Sequence, residues 1–398
     1  MLSKIFHSRR SKANILQYID CLFVKKRKKV LFVVKDKTHF SGNLRIVLSM
    51  YLSKNKEKVY IYKDGILLPK LQVELESLGA IVLSKFTFYS IWHILTAGTV
   101  ILSHNPRDAH ITKKCKGRMI VNLWHGVAIK KIELLMSNID KEKLILLENN
   151  SRLYDLVFAS SKQDKITNSK AFGIPMEKVS ICGLPRYEIL KNNYICGPLL
   201  QDEENRILHI KSDKRLVLFA PTFREKNVSA IEQITATEWN ELNDFAAKEN
   251  IIFGIRPHPY DIKHLPPDMA KLSCFHLFEN SEFTEVNILL KHTDILIVDF
   301  SSVWIDYLLL NRPIVGFAKD FTWYMEKERG CIYDFKSVFP SLFTNNINSL
   351  IEEVQTQLAS NLVVEYSTAK SIFHEYTLVY SFEQKAYEVI ENIRSSKV

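Results

Sequence analysis

The chain has 398 residues, 46% hydrophobic and 25% charged, with a formal net charge of +10. Such a composition is ordinary for a soluble globular protein, and the length is sufficient for two domains with cores of their own. No apolar run approaches the roughly 18 residues that predict a membrane span, and the N-terminal sequence lacks the order of a signal peptide, so we expect a cytosolic protein.

The N-terminal segment carries most of the excess positive charge. Up to residue 30, nine lysines and arginines stand against one acid, Asp20, which accounts for +8 of the net charge. Apolar residues such as Leu2, Phe6 and Leu22 lie among them, as in segments that bind anionic membranes, where each basic side chain contributes about 1 kcal/mol. We therefore predict a basic N-terminal arm over residues 1–29 that associates with a membrane surface. A solvated basic tail is the alternative, and the absence of a recognition motif argues against a nucleic-acid partner.

Seven short apolar runs in the first half of the chain have the length and composition of strands. They are VLFVV (30–34), VYIY (59–62), IVLS (81–84), TVILS (99–103), MIVNLW (119–124), LVFAS (156–160) and VSICG (179–183). Segments with helical periodicity separate them, including NLRIVLSMYLSKN, KLQVELESLG and the stretch around EKLILLENNSRLYD. This alternation predicts a parallel sheet whose strands are connected by crossover helices.

A second array of the same kind follows a polar stretch, residues 192–214, that we predict to be a loop. Its strands are RLVLFAPT, IIFGIRPHP, FHLF, DILIVDF and PIVGFA, again with helical segments between them. The predicted fold class is therefore α/β, with two Rossmann-like, doubly wound domains that face each other across a cleft. We place the first domain at residues 30–200 and the second at 210–375, and we expect a C-terminal helix, 376–398, that crosses back to the first domain.

The segment from 294 to 313, DILIVDFSSVWIDYLLLNRP, predicts a strand that passes directly into a helix. The strand is the apolar run before Asp299. A helical period follows and should end near Asn311, because a proline comes two residues later. Ser301 and Ser302 are thus expected at the start of the helix, where they act either as plain N-caps or as part of an anion site made with the free amides of the first turn.

Polar groups directly follow five of the predicted strands. The segments are WHG (124–126), GLPR (183–186), APTFR (220–224), RPHP (256–259) and DFSS (299–302). Because doubly wound sheets bind ligands at the carboxyl ends of their strands, we expect these residues in one crevice. Arginine forks and serine-capped amides suit phosphate groups, and histidine suits proton transfer near neutral pH. We therefore predict a phosphorylated or pyrophosphate substrate, held by neither a P-loop nor a dinucleotide fingerprint, since GxxxxGK[ST] and GxGxxG are absent.

The cysteines indicate neither a metal site nor a disulfide framework. The six are Cys21, Cys115, Cys182, Cys196, Cys274 and Cys331. They lie far apart, with no CxxC pair and no cluster with histidine at metal spacing. We expect them to be reduced, and we predict no metal ligands and no required cofactor; Mg²⁺ has no support in the sequence.

The five segments, together with FSGN at residues 40–43, resemble the CDP-glycerol glycerophosphotransferase family, which includes the primases and polymerases of teichoic acid and related capsule-polymer transferases. The resemblance extends from about Phe40 to about Phe335, and its strength lies in the order and spacing of the segments. It implies a two-domain fold of the glycosyltransferase-B (GT-B) type. It also implies a reaction in which an acceptor hydroxyl attacks the β-phosphorus of a CDP-alditol and CMP departs.

The resemblance implies a role for each matching residue. His125 would be the general base on the acceptor hydroxyl, and His258 would act with Arg256 on the pyrophosphate as CMP leaves. A structural salt bridge is the alternative role for Arg186, and Asp299 is expected to be structural. The residues implied to bind the CDP-alditol are Trp124, Gly126, Arg186, Pro221, Thr222, Arg256, Ser301, Ser302 and Asp306.

Three positions depart from the pattern of the family. Val127 and Ala128 stand where threonine and proline usually follow WHG, so a hydroxyl and a rigid turn are missing beside the donor site. Phe300 replaces the more usual tyrosine, a change with no expected consequence. We expect the first two substitutions to affect the affinity for the donor or the choice of alditol.

The resemblance implies transfer of glycerol phosphate from CDP-glycerol to a hydroxyl of a lipid-linked glycan, in teichoic acid or capsular polysaccharide synthesis. We expect a primase-type enzyme, peripheral at the inner face of the cell membrane. CDP-ribitol is the alternative donor. Two other classes stay open at this stage: a GT-B nucleotide-sugar glycosyltransferase, and a non-catalytic membrane or nucleic-acid binding protein that inherited the fold.

Overall fold

The computed structural model describes residues 16–35, 40–54, 56–192, 194, 197–328, 330–360, 363–375 and 381–396. Residues 1–15, the first half of the predicted basic arm, lie outside this part of the chain. The described residues form two sheets of parallel strands with helices between successive strands. The predicted α/β class with two doubly wound sheets is confirmed.

The first sheet has seven strands in the order β3-β2-β1-β4-β5-β6-β7, all parallel. They are β1 (Lys26–Val33), β2 (Lys58–Lys63), β3 (Ile81–Ser84), β4 (Ala97–Leu102), β5 (Met119–Asn122), β6 (Leu156–Ala159) and β7 (Val179–Ile181). β1 begins four residues before the predicted Val30. Lys29 within it is buried, with Nζ 2.6 Å from Thr96 Oγ1. The last residues of the predicted basic arm are therefore part of the sheet.

The second sheet has six strands in the order β10-β9-β8-β11-β12-β13, also parallel. They are β8 (Arg215–Ala220), β9 (Ile251–Ile255), β10 (Phe275–Leu277), β11 (Ile295–Val298), β12 (Ile314–Phe317) and β13 (Phe343–Thr344). β13 was not predicted, because a strand of two residues is too short to produce a recognisable apolar run.

Helices connect the strands of both sheets. In chain order they are α1 (Gly42–Lys54), α2 (Pro69–Ser77), α3 (Phe88–Thr96), α4 (Lys141–Ser151), α5 (Lys162–Phe172), α6 (Tyr187–Asn192), α7 (Pro198–Lys211), α8 (Ala236–Lys248), α9 (Val286–His292), α10 (Val303–Tyr307), α11 (Phe321–Lys327), α12 (Phe335–Val338), α13 (Ile347–Ala359), α14 (Ser367–Phe373) and α15 (Phe382–Ser396). A 3₁₀ turn, Leu308–Leu310, extends α10 to Asn311, which adopts the left-handed conformation. The predicted end of this helix is confirmed.

The stretch predicted as a loop between the two arrays is largely helical instead. α7 begins at Pro198, whose missing N–H costs nothing in the first turn of a helix. Leu200 and Ile207, seven residues apart on one face, are buried. Glu203 is buried among them because its carboxylate accepts a hydrogen bond from the backbone N–H of Thr284 at 2.9 Å. Because an acid on the buried face interrupts the periodicity of apolar residues, the sequence did not predict this helix.

Apolar residues cover both faces of each sheet, and every residue of β5 and β11 is buried. One core cluster extends from the second sheet into the first domain through Val127, Ile129 and Tyr187. The last helix, α15, packs against α1, with Ala386 and Ile390 fully buried in the core of the first domain. Shared packing of this kind fixes the strand ends of the two domains relative to each other.

Cys21 and Cys115 form a disulfide, with Cα atoms 5.0 Å apart, so the expectation that every cysteine is reduced is wrong for this pair. Their sequence separation of 94 residues matches no spacing rule. They meet because the segment before β1 packs on the connection between β4 and β5, where Arg118 donates to Asp20. The free cysteines among the described residues are Cys182, Cys274 and Cys331, and Cys196 lies outside that part of the chain.

The described residues contain neither a membrane-spanning helix nor a metal-binding cluster. No helix there combines the length and the apolar content needed to cross a bilayer. No group of three or more His, Cys, Asp or Glu side chains within the same ranges is arranged to hold a metal ion.

Candidate active site

A cavity of about 550 Å³ lies between the two domains, at the carboxyl ends of β5, β8, β9 and β11. Its volume is typical of a small-ligand site. Nine of the eleven residues predicted for the site line this inter-domain cavity. They are Trp124, His125, Gly126, Pro221, Thr222, Arg256, His258, Ser301 and Ser302. The carboxyl edges of both sheets thus contribute to one site, as the rule for doubly wound sheets predicts.

Two buried asparagines hold the backbone of the WHG segment in an unusual conformation. Trp124 has a positive φ of 52°, which costs energy for a bulky side chain. Its N–H donates to Asn122 Oδ1 at 2.9 Å. Asn43 Nδ2 donates to the carbonyl oxygens of Leu123 and Trp124 at 3.2 and 2.9 Å. These bonds fix the direction in which the next residue, His125, leaves the strand.

The ring of His125 is exposed to the cavity and fixed on one side by the first domain. Its Nδ1 lies 3.2 Å from the carbonyl oxygen of Ser103, and the ring stacks on His104 with centroids 4.7 Å apart. Loss of solvation lowers the pKa of His125 to about 4, with smaller contributions from the charges of Arg186 and Lys35. The ring is therefore neutral at pH 7. Because a carbonyl can only accept, Nδ1 carries the proton and Nε2 keeps a lone pair.

His258 has the opposite proton arrangement. Its Nδ1 accepts a hydrogen bond from the N–H of Tyr260 at 3.3 Å, so a neutral ring carries its proton on Nε2. Phe223 stacks on the ring with centroids 5.2 Å apart. Burial lowers the pKa of His258, and the charge of Asp261 opposes this effect. The inter-domain cavity thus has one histidine that can accept a proton at Nε2 and one that can donate from it.

Arg256 brings a cation without a close counter-ion to the cavity wall. Its Nη1 donates to the carbonyl oxygen of Phe283 at 2.8 Å, and none of its partners in the described part of the chain is a carboxylate. Burial lowers the pKa of Arg256 to about 10, while the more distant charges of Glu203 and Glu285 raise it. The guanidinium remains cationic at neutral pH, and an anionic ligand would offset its desolvation.

Arg186 and Asp306 form a buried ion pair, and neither lines the inter-domain cavity. Arg186 Nε and Nη2 donate to the two carboxylate oxygens of Asp306 at 2.6 and 2.8 Å. Burial opposes the charge of Arg186, but Asp306 outweighs it and raises the pKa of the guanidinium. Arg186 Nη1 also donates to the carbonyl oxygen of His125. The pair therefore connects the second domain to the backbone of the predicted general base.

Buried Asp299 organises the strand ends of the second domain. Its carboxylate accepts from the N–H of Thr222 at 2.9 Å and from Arg224 at 2.7 Å, as a structural role predicts. Ser302 stands at the N-cap of α10, but its side chain makes no capping hydrogen bond, so the plain N-cap interpretation is wrong. Its hydroxyl, that of Ser301, and the Oγ1 of Thr222, which has no partner among the described residues, border the cavity.

Sequence reasoning left several contributors out of the site. Asn122 had a signal, since it is the one polar residue within an apolar strand, and Asn43 belongs to the FSGN segment. Ser103 contributes its carbonyl oxygen, which every residue type has, so the residue type at this position could not predict the contact. Tyr324 lines the cavity and stacks on Phe300, with centroids 3.7 Å apart.

The model of the family described as CDP-glycerol:poly(glycerophosphate) glycerophosphotransferase matches residues 15–392. Among curated proteins, the chain is 24% identical over 340 residues to the teichoic acid ribitol-phosphate polymerase TarL of Staphylococcus aureus, covering 84% of this chain and 58% of TarL. It is 25% identical over 354 residues to the teichoic acid glycerol-phosphate primase of Bacillus subtilis, covering 84% of this chain and 85% of the primase.

Solved structures agree on the fold. The wall teichoic acid polymerase TagF superimposes with a TM-score of 0.77 at 17% identity, over 98% of this chain and 93% of the TagF chain. A UDP-GlcNAc 2-epimerase from Neisseria meningitidis gives a TM-score of 0.54 at 14% identity, over 92% of this chain and 99% of the epimerase. The two-domain GT-B type fold that the resemblance implied is confirmed.

Proposed function

The chain belongs to the CDP-glycerol:poly(glycerophosphate) glycerophosphotransferase family, and from this premise we propose that it transfers glycerol phosphate from CDP-glycerol to a hydroxyl of a lipid-linked glycan, releasing CMP. The proposal rests on one observation. Two neutral histidines and an arginine line the same cavity, and the two histidines carry their ring protons on different nitrogens. His125 keeps a lone pair on Nε2, and His258 carries a proton there. Arg256 supplies a cation whose described partners are carbonyl oxygens.

In the proposed reaction the acceptor hydroxyl gives its proton to His125 Nε2 while its oxygen bonds to the β-phosphorus of the donor. The bond from that phosphorus to the bridging oxygen breaks, and CMP leaves with the bridging oxygen. Negative charge grows on the departing phosphate. Arg256 and the Nε2–H of His258 are suited to stabilise that charge, because both are donors fixed beforehand by the protein. A general base of this kind contributes about 10²–10⁴-fold in rate.

The donor is proposed to occupy the inter-domain cavity. The hydroxyls of Thr222, Ser301 and Ser302 offer hydrogen bonds to its phosphates, and Gly126 lets the backbone approach them closely. A Cβ on Gly126 would lie 3.4 Å from Arg186 Nη2. Trp124 and Pro221 contribute the apolar part of the wall. Arg186 and Asp306 are proposed to act indirectly, by holding the His125 backbone in place.

We further propose a primase-type enzyme of teichoic acid or capsular polysaccharide synthesis, peripheral at the inner face of the membrane. The chain is similar to a glycerol-phosphate primase over 85% of that protein's length and to a poly(glycerol phosphate) polymerase over 84%, so the choice between the two roles depends on experiment. Basic residues of the N-terminal segment would supply attraction to anionic lipid. Product sizing on a gel distinguishes single addition from chain extension, and flotation with anionic vesicles tests membrane binding.

The decisive experiment measures CMP release by the purified protein, with CDP-glycerol and CDP-ribitol supplied separately beside a membrane-glycolipid extract. Wild type, His125→Ala and His209→Ala are compared. His209 is an exposed histidine on α7, outside the lining of the inter-domain cavity. We expect release from CDP-glycerol, a loss of about a hundredfold or more in His125→Ala, and an unchanged rate in His209→Ala.

Each other outcome has a defined meaning. Release from CDP-ribitol alone would change the donor and leave the reaction class intact. Turnover of nucleotide sugars in place of both CDP-alditols would replace the proposal with a glycosyltransferase. Unchanged CMP release by His125→Ala would remove His125 from the mechanism.

A further inference from the structure

A cavity of about 690 Å³ lies at the edge of the first sheet that is opposite the inter-domain cavity. It is bordered by Arg27 and Gly98, near the amino ends of β1 and β4, and by residues 114–119, which lead into β5. We call it the amino-edge cavity. Its volume falls within the range of small-molecule sites. Because the inter-domain cavity lies at the carboxyl ends of the strands, the length of a six-residue strand, about 20 Å, separates the two.

Basic side chains dominate the lining of the amino-edge cavity, which contains one acid, Asp155. The six basic residues are Lys25, Arg27, Lys114, Lys116, Arg118 and Arg394. Four of them are neutralised in the ion pairs Lys25–Asp20, Arg118–Asp20, Lys114–Asp155 and Arg394–Glu391. The other two, Arg27 and Lys116, are exposed and have no carboxylate partner in the described part of the chain. The cavity therefore has two cations available to an anionic ligand.

Arg394, near the end of α15, adds a buried donor without an acceptor to the same lining. The residue is 7% exposed. Its Nη1 donates to Glu391 Oε1 at 2.7 Å, and its Nη2 donates to the carbonyl oxygen of Arg27 at 2.8 Å. Its Nε has no hydrogen-bond partner among the described residues. A buried N–H of this kind is costly unless a ligand or an ordered water accepts from it, so an oxygen ligand in the cavity would complete the hydrogen bonds of Arg394.

Cross-links within the first domain fix the wall of the amino-edge cavity. Cys115 lines the cavity and is joined by a disulfide to Cys21, in the segment before β1. In the same segment Lys25 Nζ donates to the carbonyl oxygen of Leu95 at 2.7 Å, and Arg118 Nη2 donates to the same oxygen at 3.0 Å. These bonds hold the segment before β1 against the connection between β4 and β5. A ligand would therefore meet a wall that is already ordered, which lowers the entropic cost of binding.

We propose that the amino-edge cavity is a second anion site, which binds a phosphate group through Arg27, Lys116 and Arg394. Guanidinium groups match the geometry of phosphate oxygens, and lysine adds a point charge. None of the lining residues borders the inter-domain cavity, and the inference does not depend on the proposed reaction. The phosphate group belongs either to a soluble compound or to a lipid head group. Leu22 and Val24, 78% and 83% exposed in the segment before β1, are placed to contact lipid in the second case.

Calorimetric titration with inorganic pyrophosphate tests the soluble source. Wild type is compared with Arg27→Gln, Lys116→Met, Lys113→Met and Arg256→Gln. Lys113 is an exposed lysine of the same connection, outside the cavity lining, and Arg256 lines the inter-domain cavity instead. We expect Arg27→Gln and Lys116→Met each to weaken binding about tenfold, and Lys113→Met and Arg256→Gln to retain it. Thermal unfolding without pyrophosphate checks that every variant is folded.

Flotation with vesicles tests the lipid source, using phosphatidylcholine alone and phosphatidylcholine mixed with an equal part of phosphatidylglycerol. If Arg27→Gln and Lys116→Met lose binding to the mixed vesicles while Lys113→Met, which removes the same charge, retains it, the phosphate belongs to a head group. If the two substitutions weaken only the binding of pyrophosphate, it belongs to a soluble compound.

Two results would overturn the assignment. The first is that the lining substitutions change neither the titration nor the flotation, including the case in which Arg256→Gln alone weakens the binding of pyrophosphate. The second is that Lys113→Met weakens binding as much as Lys116→Met in both assays, because the effect would then come from the net charge of the surface and not from the cavity.

Discussion

At the residue scale, the chemistry of His125 depends on which ring nitrogen carries its proton. The carbonyl oxygen of Ser103 holds that proton on Nδ1. Desolvation then keeps the second nitrogen unprotonated at neutral pH, since the pKa is lowered from 6.5 to about 4. A base with a low pKa is a weaker proton acceptor, but it is in the correct form over a wider pH range.

This assignment predicts the acid limb of the pH profile. Above a pKa of about 4 His125 is unprotonated and active, so kcat/KM should remain nearly constant from pH 8 to about pH 5 and fall below that. An ordinary histidine would instead give a midpoint near 6.5. Steady-state rates at saturating acceptor, between pH 4 and 8, check the expectation, with His209→Ala as the control. A limb centred near 6.5 would contradict it.

Asn43 is predicted to be a positioning residue. Its side chain donates to the carbonyl oxygens of Leu123 and Trp124 and accepts from the backbone N–H of Arg186 at 3.1 Å. Asn43→Ala should lower kcat about tenfold while the KM for CDP-glycerol changes less than twofold. Unpaired backbone groups should also reduce the free energy of unfolding, by about 1–3 kcal/mol. Steady-state kinetics and denaturant unfolding measure the two effects, and Asn205→Ala on the exposed face of α7 is the control. If the variant loses stability but keeps the kcat of wild type, Asn43 has a structural role only.

Much of the site could be predicted because its residues directly follow strands, where the carboxyl edge rule applies. Arg186 and Asp306 show the limit of that reasoning. Both belong to recognisable segments, but their mutual ion pair joins positions 120 apart in sequence, and nothing local indicates that they satisfy each other instead of meeting a ligand. The disulfide between Cys21 and Cys115 escaped prediction for the same reason.

At the element scale, the long apolar runs determined the strands, and burial on both faces made them easy to recognise. α7 was missed because Glu203 occupies its buried face. A sequence cannot show that a distant backbone N–H will satisfy such an acid. The amphipathic pattern of α15 predicts a helix, and fold analogy, not this pattern, predicted that it returns to the first domain, where it packs on α1.

The packing of α15 on α1 gives a stability prediction. Ile390 is fully buried in the core of the first domain, and Tyr51 Oη on α1 donates to Glu391 Oε1 at 2.7 Å. Ile390→Ala should lower the free energy of unfolding by about 2–5 kcal/mol. Asn392→Ala, at an exposed position of the same helix, should change it by less than about 0.5 kcal/mol. Denaturant titration measures both, and equal effects of the two substitutions would mean that α15 contributes no core packing.

At the scale of the whole molecule, the two domains are connected by apolar packing and by hydrogen bonds from backbone N–H groups. The N–H of Ile332 donates to the carbonyl oxygen of Ile129 at 2.7 Å, and the N–H of Gly42 donates to Glu285 Oε2 at 2.5 Å. Sequence patterns predicted two sheets and a cleft, but contacts between the domains depend on loops, whose conformation local propensity does not determine. The position of the carboxyl edge of one sheet opposite that of the other therefore had to come from the structure.

Buried histidines in both domains predict how stability depends on pH. His374 is 5% exposed, and its Nε2 lies 2.6 Å from the carbonyl oxygen of Ile305. Burial lowers its pKa from 6.5 to about 4. Between these values the unfolded chain binds a proton that the folded chain does not. Unfolding therefore takes up a proton, and stability falls as pH decreases from 6.5 towards 4.

Buried carboxyls act in the opposite direction, so the pH dependence of wild type alone does not isolate His374. Burial raises the pKa of Asp164 and of Glu383 to about 7, and these groups bind protons more tightly in the folded state. The difference between wild type and His374→Gln removes their contribution. Glutamine stays uncharged and can still donate to Ile305. The stability of wild type relative to the variant should decrease by about 3 kcal/mol between pH 7 and pH 4. Denaturant unfolding at several pH values measures this difference, and a difference that is independent of pH would show that His374 is protonated equally in both states.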